Sequence, residues 1–93
     1  MSNSTLFLIQ GDYSKAASLL TQLQQMATPQ DQVVLMAESV LLYAEPALEL
    51  YTLYILKADA DVLPEVKPHR LNIIDYSEFS NLLLQHTRCI SLK

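Results

Sequence analysis

The stretch TLFLIQGDYSKAASLLTQLQQMATPQDQVVLM, Thr5 to Met36, decides the fold. Its opening, Thr5-Leu6-Phe7-Leu8-Ile9, is an apolar run of β-favouring residues closed by Gly11-Asp12. It lacks polar alternation, so it reads as a strand buried on both faces. From Ser14 the period changes: Ala16, Leu19, Leu20, Leu23, Met26 and Ala27 recur at helical spacing. Lys15, Ser18, Thr21, Gln22 and Gln25 take the other side, which predicts an amphipathic helix. Thr28-Pro29-Gln30-Asp31 ends that helix, and Val33-Val34-Leu35-Met36 reads as a second buried strand. Strand, helix and strand in this order imply parallel pairing with a right-handed crossover.

The rest of the chain extends this unit. Residues 38–51 predict a turn-rich first half and a short helix from Pro46 to Leu50, because proline disfavours helical geometry at Glu45 and suits a first helical turn. Thr52-Leu53-Tyr54-Ile55-Leu56 is a third strand, followed by the acidic stretch Lys57-Ala58-Asp59-Ala60-Asp61. Pro64 and Pro68 confine residues 62–70 to a helical turn or loop. Leu71-Asn72-Ile73-Ile74 is a fourth strand. Asp75 and Glu78 then have capping-box spacing at the head of a last helix, whose stripe is Phe79, Leu82 and Leu83 and whose C-terminal end carries His86. Arg88-Cys89-Ile90-Ser91-Leu92 adds a short fifth strand at an edge. The expected fold is therefore α/β: a single domain over residues 1–93, with an open, mostly parallel sheet of four to five strands and helices on both faces.

Composition bounds the function. The chain has 93 residues, and a domain of that length removes only roughly 60–65 % of its unfolded surface from water. Hydrophobic residues make up 51 % and charged residues 17 %, so solvated surface is scarce and burial against partners is expected. The net charge of −4, from 10 acidic and 6 basic residues, gives no footprint for direct nucleic-acid binding. Apolar runs such as Val33–Ala37 fall well short of a membrane span, and Met1-Ser2-Asn3-Ser4 does not resemble a secretory leader, so a cytoplasmic protein is expected.

Candidate chemistry follows from where a doubly wound sheet places its sites, beyond the C-terminal ends of the strands. Asp12, Glu38, Ser39, Asp59 and Asp75 fall there. An acidic cluster could hold Mg²⁺, as in a receiver-like regulatory domain, but turn and capping roles explain each acid more simply, and such a domain needs five full strand-helix units. Cys89 is the single cysteine and the only candidate thiolate nucleophile, with Arg88 beside it. A small buried hydrophobe is the simpler reading of a free cysteine. His69 and His86 match no zinc spacing, and the basic segment Lys67-Pro68-His69-Arg70 reads as a solvated loop. Gly11 is the only glycine, so no phosphate-cradling loop exists, and neither a metal nor a cofactor is expected. The interface candidates are Val40, Leu41, Leu42, Tyr43 and Leu48. Five consecutive apolar residues, Val40 to Ala44, point in every direction from a helix or turn, and one small domain can hardly bury them all.

At Leu53-Tyr54-Ile55-Leu56 with Asp59 and Leu63, and again at Ile73-Ile74-Asp75-Tyr76-Ser77-Glu78-Phe79 with Leu82 and His86 downstream, the chain resembles the TusB/DsrH family. The likeness runs over nearly the whole length, and the IIDYSEF segment is its most specific part. It implies a DsrE-like fold and assembly with TusC-like and TusD-like homologous subunits into a heterohexamer of two heterotrimers, which meets further sulfur-relay proteins. Such complexes pass persulfide sulfur between cysteines, toward 2-thiouridine at the tRNA wobble position in the Tus case and during sulfur oxidation in the Dsr case. Family members with a cysteine in this subunit carry it in the first helical region, and residues 13–27 hold none. The resemblance thus implies a non-catalytic subunit whose active thiols belong to its partners. The alternatives are a persulfide-carrying Cys89 and a DsrH-type role in sulfur oxidation. Two positions depart from the family pattern: Glu38-Ser39 stands where Asp-Gly is common, and Leu92-Lys93 where an aromatic residue is common.

Overall fold

The computed structural model describes residues 5–28, 30–63, 71–86 and 88–92. The apolar runs pair as expected: β1 (Thr5–Ile9), β2 (Gln32–Leu35), β3 (Thr52–Leu56), β4 (Leu71–Ile74) and β5 (Arg88–Leu92) form one sheet in the order β4-β3-β2-β1-β5. Every neighbouring pair is parallel, so among the described residues the sheet has five strands and no antiparallel member. Its α-helices are α1 (Ala16–Met26) and α2 (Tyr76–Gln85), and 3₁₀ segments cover Tyr13–Lys15, Ala37–Ala44, Pro46–Leu48 and Lys57–Val62. Of the turn or loop expected over residues 62–70, Val62 ends the 3₁₀ segment Lys57–Val62, and residues 64–70, Lys67 and His69 among them, lie outside the described residues.

Side chains alternate across the pleat, and the register carries that alternation from strand to strand. Phe7, Val33, Leu53 and Ile55 share the face covered by Leu19 and Leu23 of α1, and this is the larger core. Leu6, Val34, Leu56 and Ile74 share the opposite face and meet Leu82 of α2, with Phe79 and Leu83 packed alongside. Helices therefore lie on both faces. The head of α2 is fixed as its sequence predicts: Glu78 N–H donates to Asp75 Oδ1 at 2.8 Å, and Asp75 N–H donates to Glu78 Oε1 at 3.1 Å.

The half expected to be turn-rich is a 3₁₀ segment over Ala37–Ala44, and the short helix expected from Pro46 forms as a 3₁₀ turn over Pro46–Leu48. Glu45, before the proline, is extended at φ −67° and ψ 130°. With three residues per turn, positions i and i+3 eclipse and the segment presents three rows. Glu38, Leu41 and Ala44 form the exposed row, while Ser39 with Leu42 and Val40 with Tyr43 turn inward. This corrects the interface expectation. Val40, Leu42 and Leu48 are at most 1 % exposed and belong to this chain's own core, Tyr43 is half-buried, and only Leu41 faces solvent.

At the opposite, N-terminal end of the strands, a buried carboxylate holds two segments together. Asp31 accepts from the Thr5 N–H through Oδ1 and from the Thr28 N–H through Oδ2, both at 2.8 Å. It thereby ties the start of β1 to the turn that follows α1. Burial, and then the nearby Asp31 charge, push the Tyr51 phenol above its ordinary value of 10.0.

Replacing Asp31 by alanine strips both amides of their acceptor and is expected to cost about 3 kcal/mol in urea unfolding, with Asp31→Asn losing less because one acceptor oxygen remains. The Tyr51 shift has a defined sign. Above pH 10.0 the unfolded chain loses the phenolic proton while the folded chain keeps it, so stability falls as pH rises through that range. Tyr51→Phe should flatten this alkaline limb in denaturant titrations and leave the profile below it unchanged.

Candidate functional site

The C-terminal ends of the strands carry Gln10–Asp12 after β1, Ala37–Ser39 after β2, Lys57–Asp61 after β3 and Asp75-Tyr76 after β4. Three adjoining hollows run along this edge. One, of about 390 Å³, is lined by Leu56, Lys57, Ala58, Asp61, Ile74, Asp75 and Tyr76. The next, of about 250 Å³, shares Ala58 and Asp61 with it and adds Leu41, Val40, Glu38 and Asp59. The last, of about 210 Å³, shares Ala37 and Glu38 with the second and reaches Gly11 and Asp12. Because neighbours share walls, they form one furrow across the edge of the sheet.

Each turn in the furrow is braced by a group that the sequence marked as a candidate. Ser39 is buried, and its hydroxyl both accepts from the Gly11 N–H and donates to the Gly11 carbonyl, each at 3.1 Å. Asp59 Oδ2 accepts from the Ala37 N–H at 3.2 Å. Asp75 caps α2. The turn after β2 forms with no glycine, since Ala37 itself takes the left-handed conformation at φ 53°. Among the described residues, no three His, Cys, Asp or Glu side chains converge on a point that could hold a metal ion.

The sequence named Asp12, Glu38, Asp59 and Asp75, and the fold brings all four to this edge, where Tyr76 joins them; Asp61 was missed. Asp61 was legible only from a 3₁₀ period, which places it in one row with Ala58, so that both line the furrow. Five carboxylates face one ammonium, that of Lys57, along the furrow, giving it a negative potential. Leu41 and Tyr76 add apolar surface.

Cys89 is elsewhere. It pairs in register with Leu6 on β5, three residues back from the C-terminal edge and on the α2 face of the sheet. It is exposed, which corrects the expectation of a buried hydrophobe. The reason is that β5 is the outermost strand. Arg88 faces the other way, with its guanidinium donating to Thr5 Oγ1 at 3.3 Å, so its charge lies across the sheet from the sulfur. His86 makes its ring contact with its own helix, Nδ1 to Leu82 O at 2.9 Å.

An all-parallel five-stranded sheet with helices on both faces and a furrow at its C-terminal edge defines a small open-sheet α/β domain. The structure of the chain is similar to the crystal structure of the ychN protein from E. coli, with a TM-score of 0.65 over 98 % of this chain and 100 % of that one. Sequence identity is 12 %, so the likeness is one of fold. A scan against protein-family models and a search of the curated proteins match nothing. No helix among the described residues is long and apolar enough to cross a membrane.

The strained turn gives a test of the local geometry. Ala37→Gly relieves the left-handed penalty and is expected to stabilise the chain by about 1 kcal/mol in urea unfolding, the opposite of the usual effect of introducing glycine.

Proposed function

We propose that this chain is a non-catalytic subunit of a TusBCD-like sulfur-relay complex, supporting 2-thiouridine formation at the tRNA wobble position. The DsrE-like fold supports a place among sulfur-relay proteins, and the resemblance at residues 53–63 and 73–86 supports the TusB/DsrH assignment within it. The observation that carries the reading is the placement of sulfur. The chain's one cysteine sits on the outermost strand, off the furrow where a site of this fold class forms. TusC-like and TusD-like subunits would then supply the active thiols and cover apolar surface such as Leu50, which is 70 % exposed, and Leu84, which is 84 % exposed. The exposure of Cys89 favours a second reading, in which its thiolate takes the outer sulfur from a donor persulfide and the donor leaves as a thiolate.

Co-expression with cysteine-bearing homologues is expected to recover this chain in stoichiometric amounts with both of them. A chain that stays a monomer beside those homologues would overturn the subunit reading. Within the complex, Cys89→Ser should leave tRNA thiolation at the wild-type rate. Loss of thiolation, or a sulfur adduct on Cys89 found by mass spectrometry after incubation with a persulfide donor, would move the chemistry onto this subunit.

A further inference from the structure

Among the described residues, nothing pairs with the outer edge of β5. In a parallel pair, alternate residues turn both N–H and C=O toward the neighbouring strand. Gln10 N–H donates to the Leu92 carbonyl at 3.0 Å, and Leu92 stands opposite Ile9, so Leu92, Ile90 and Arg88 are the residues that face β1. The backbone groups of Cys89 and Ser91 therefore point away from the sheet, and both residues are exposed. Edges of this kind are ordinarily blunted by proline, outward lysine or a bulge. This one pairs with β1 residue for residue, contains no proline, and its only charge, Arg88, is turned back onto Thr5. At the other edge, Leu71 of β4 is buried while Asn72 and Ile73 are exposed, and the Asn72 amide donates to the Leu53 carbonyl of neighbouring β3 at 3.2 Å.

We infer that this edge is a self-pairing surface, on which the β5 strands of two copies of this chain join antiparallel about a two-fold axis through Ile90. The outward groups lie at 89 and 91, symmetric about 90. The axis thus sets Cys89 opposite the partner's Ser91, and Ser91 opposite the partner's Cys89, each pair exchanging two N–H···O bonds. An isologous contact needs this self-complementarity, and a second copy supplies it by symmetry. Arg88 falls opposite the partner's Leu92, so no like charges meet. Both flanking side chains are small and do not crowd the pairing. A contact of one five-residue strand per copy is at the small end of specific interfaces, so the dimer is weak, on the order of micromolar or above. The inference is independent of the sulfur-relay reading and holds or fails without it.

The single cysteine makes the test direct. In this pairing the two Cys89 side chains are diagonal neighbours, roughly 7–8 Å apart, within reach of a short bismaleimide. The full-length chain at high micromolar concentration is expected to give a covalent dimer of twice its mass, and sedimentation equilibrium is expected to give a reversible one. Ser91→Pro removes an outward N–H and leaves the β1 ladder intact, so both signals should fall more than about tenfold with the far-UV spectrum unchanged. Two double variants test the register without touching the backbone. Cys89→Lys with Ser91→Lys sets ammonium against ammonium and should dissociate the dimer, whereas Cys89→Lys with Ser91→Glu sets opposite charges together and should restore it. A wild-type chain that stays monomeric, double variants of equal affinity, or a cross-link formed only to a different protein would each overturn the inference; should Ser91→Pro not fold, the charge pair decides.

Discussion

A parallel strand cannot be reached by a hairpin. Every neighbouring pair in this sheet is parallel, so after each strand the chain must travel back along the strand length before it can pair again. With 93 residues in all, the length of each return is the binding constraint. The return from β1 to β2 uses α1, whose 11 residues rise roughly 16 Å at 1.5 Å each. The return from β2 to β3 is made without an α-helix, by the eight-residue 3₁₀ segment Ala37–Ala44 and the shorter Pro46–Leu48. The three-residue period of the longer segment decides which of residues 38–44 are buried.

The same shortage sets the difference between the two faces. One face is covered by α1 and by the segments carrying Val40, Leu42 and Leu48, and it holds the larger core. Among the described residues the other is closed by α2, since the single connection from β4 to β5 crosses from one edge of the sheet to the other. Five strands at about 4.8 Å spacing are wider than the roughly 10 Å of a helix. Leu8, Met36 and Tyr54 are consequently only half-buried, and Cys89 and Ser91, on the far strand, stay exposed. The exposure of the cysteine is thus a consequence of strand order and helix count.

These causes also explain what could be read from the chain in advance. The strands, α1 and the Asp75–Glu78 capping box are written in local period and local spacing, and they formed where those signals lie. The acids at the strand ends were legible as well, because β-α-β order alone sends those positions to one edge. Residues 40–44 were not, since an unbroken apolar run carries no period of its own and nothing local to it marks the 3₁₀ rows. Nor was Asp31 singled out: its acceptance of the Thr5 amide joins residues 26 apart, a pairing with no local signature. Cys89 was placed on the right strand, but its burial depended on which strand is outermost and on how far α2 reaches.

At the furrow, the polar groups that could have been free for chemistry are engaged in holding the edge together. The Ser39 hydroxyl is closed on Gly11 in both directions, Asp59 holds the Ala37 amide that the left-handed turn presents, and the Asp75 carboxylate is committed to the first turn of α2. What faces outward is a mixture of carboxylate and apolar side chain, with Leu41 and Tyr76 among the walls. Catalytic pockets concentrate preorganised donors on one reacting atom, whereas interfaces combine apolar contact with a charged rim. The furrow combines apolar and carboxylate side chains, and the hydrogen bonds within its turns hold that lining in place. This agrees with the proposed supporting role, in which the chain contributes a rigid contour and the thiols come from its neighbours.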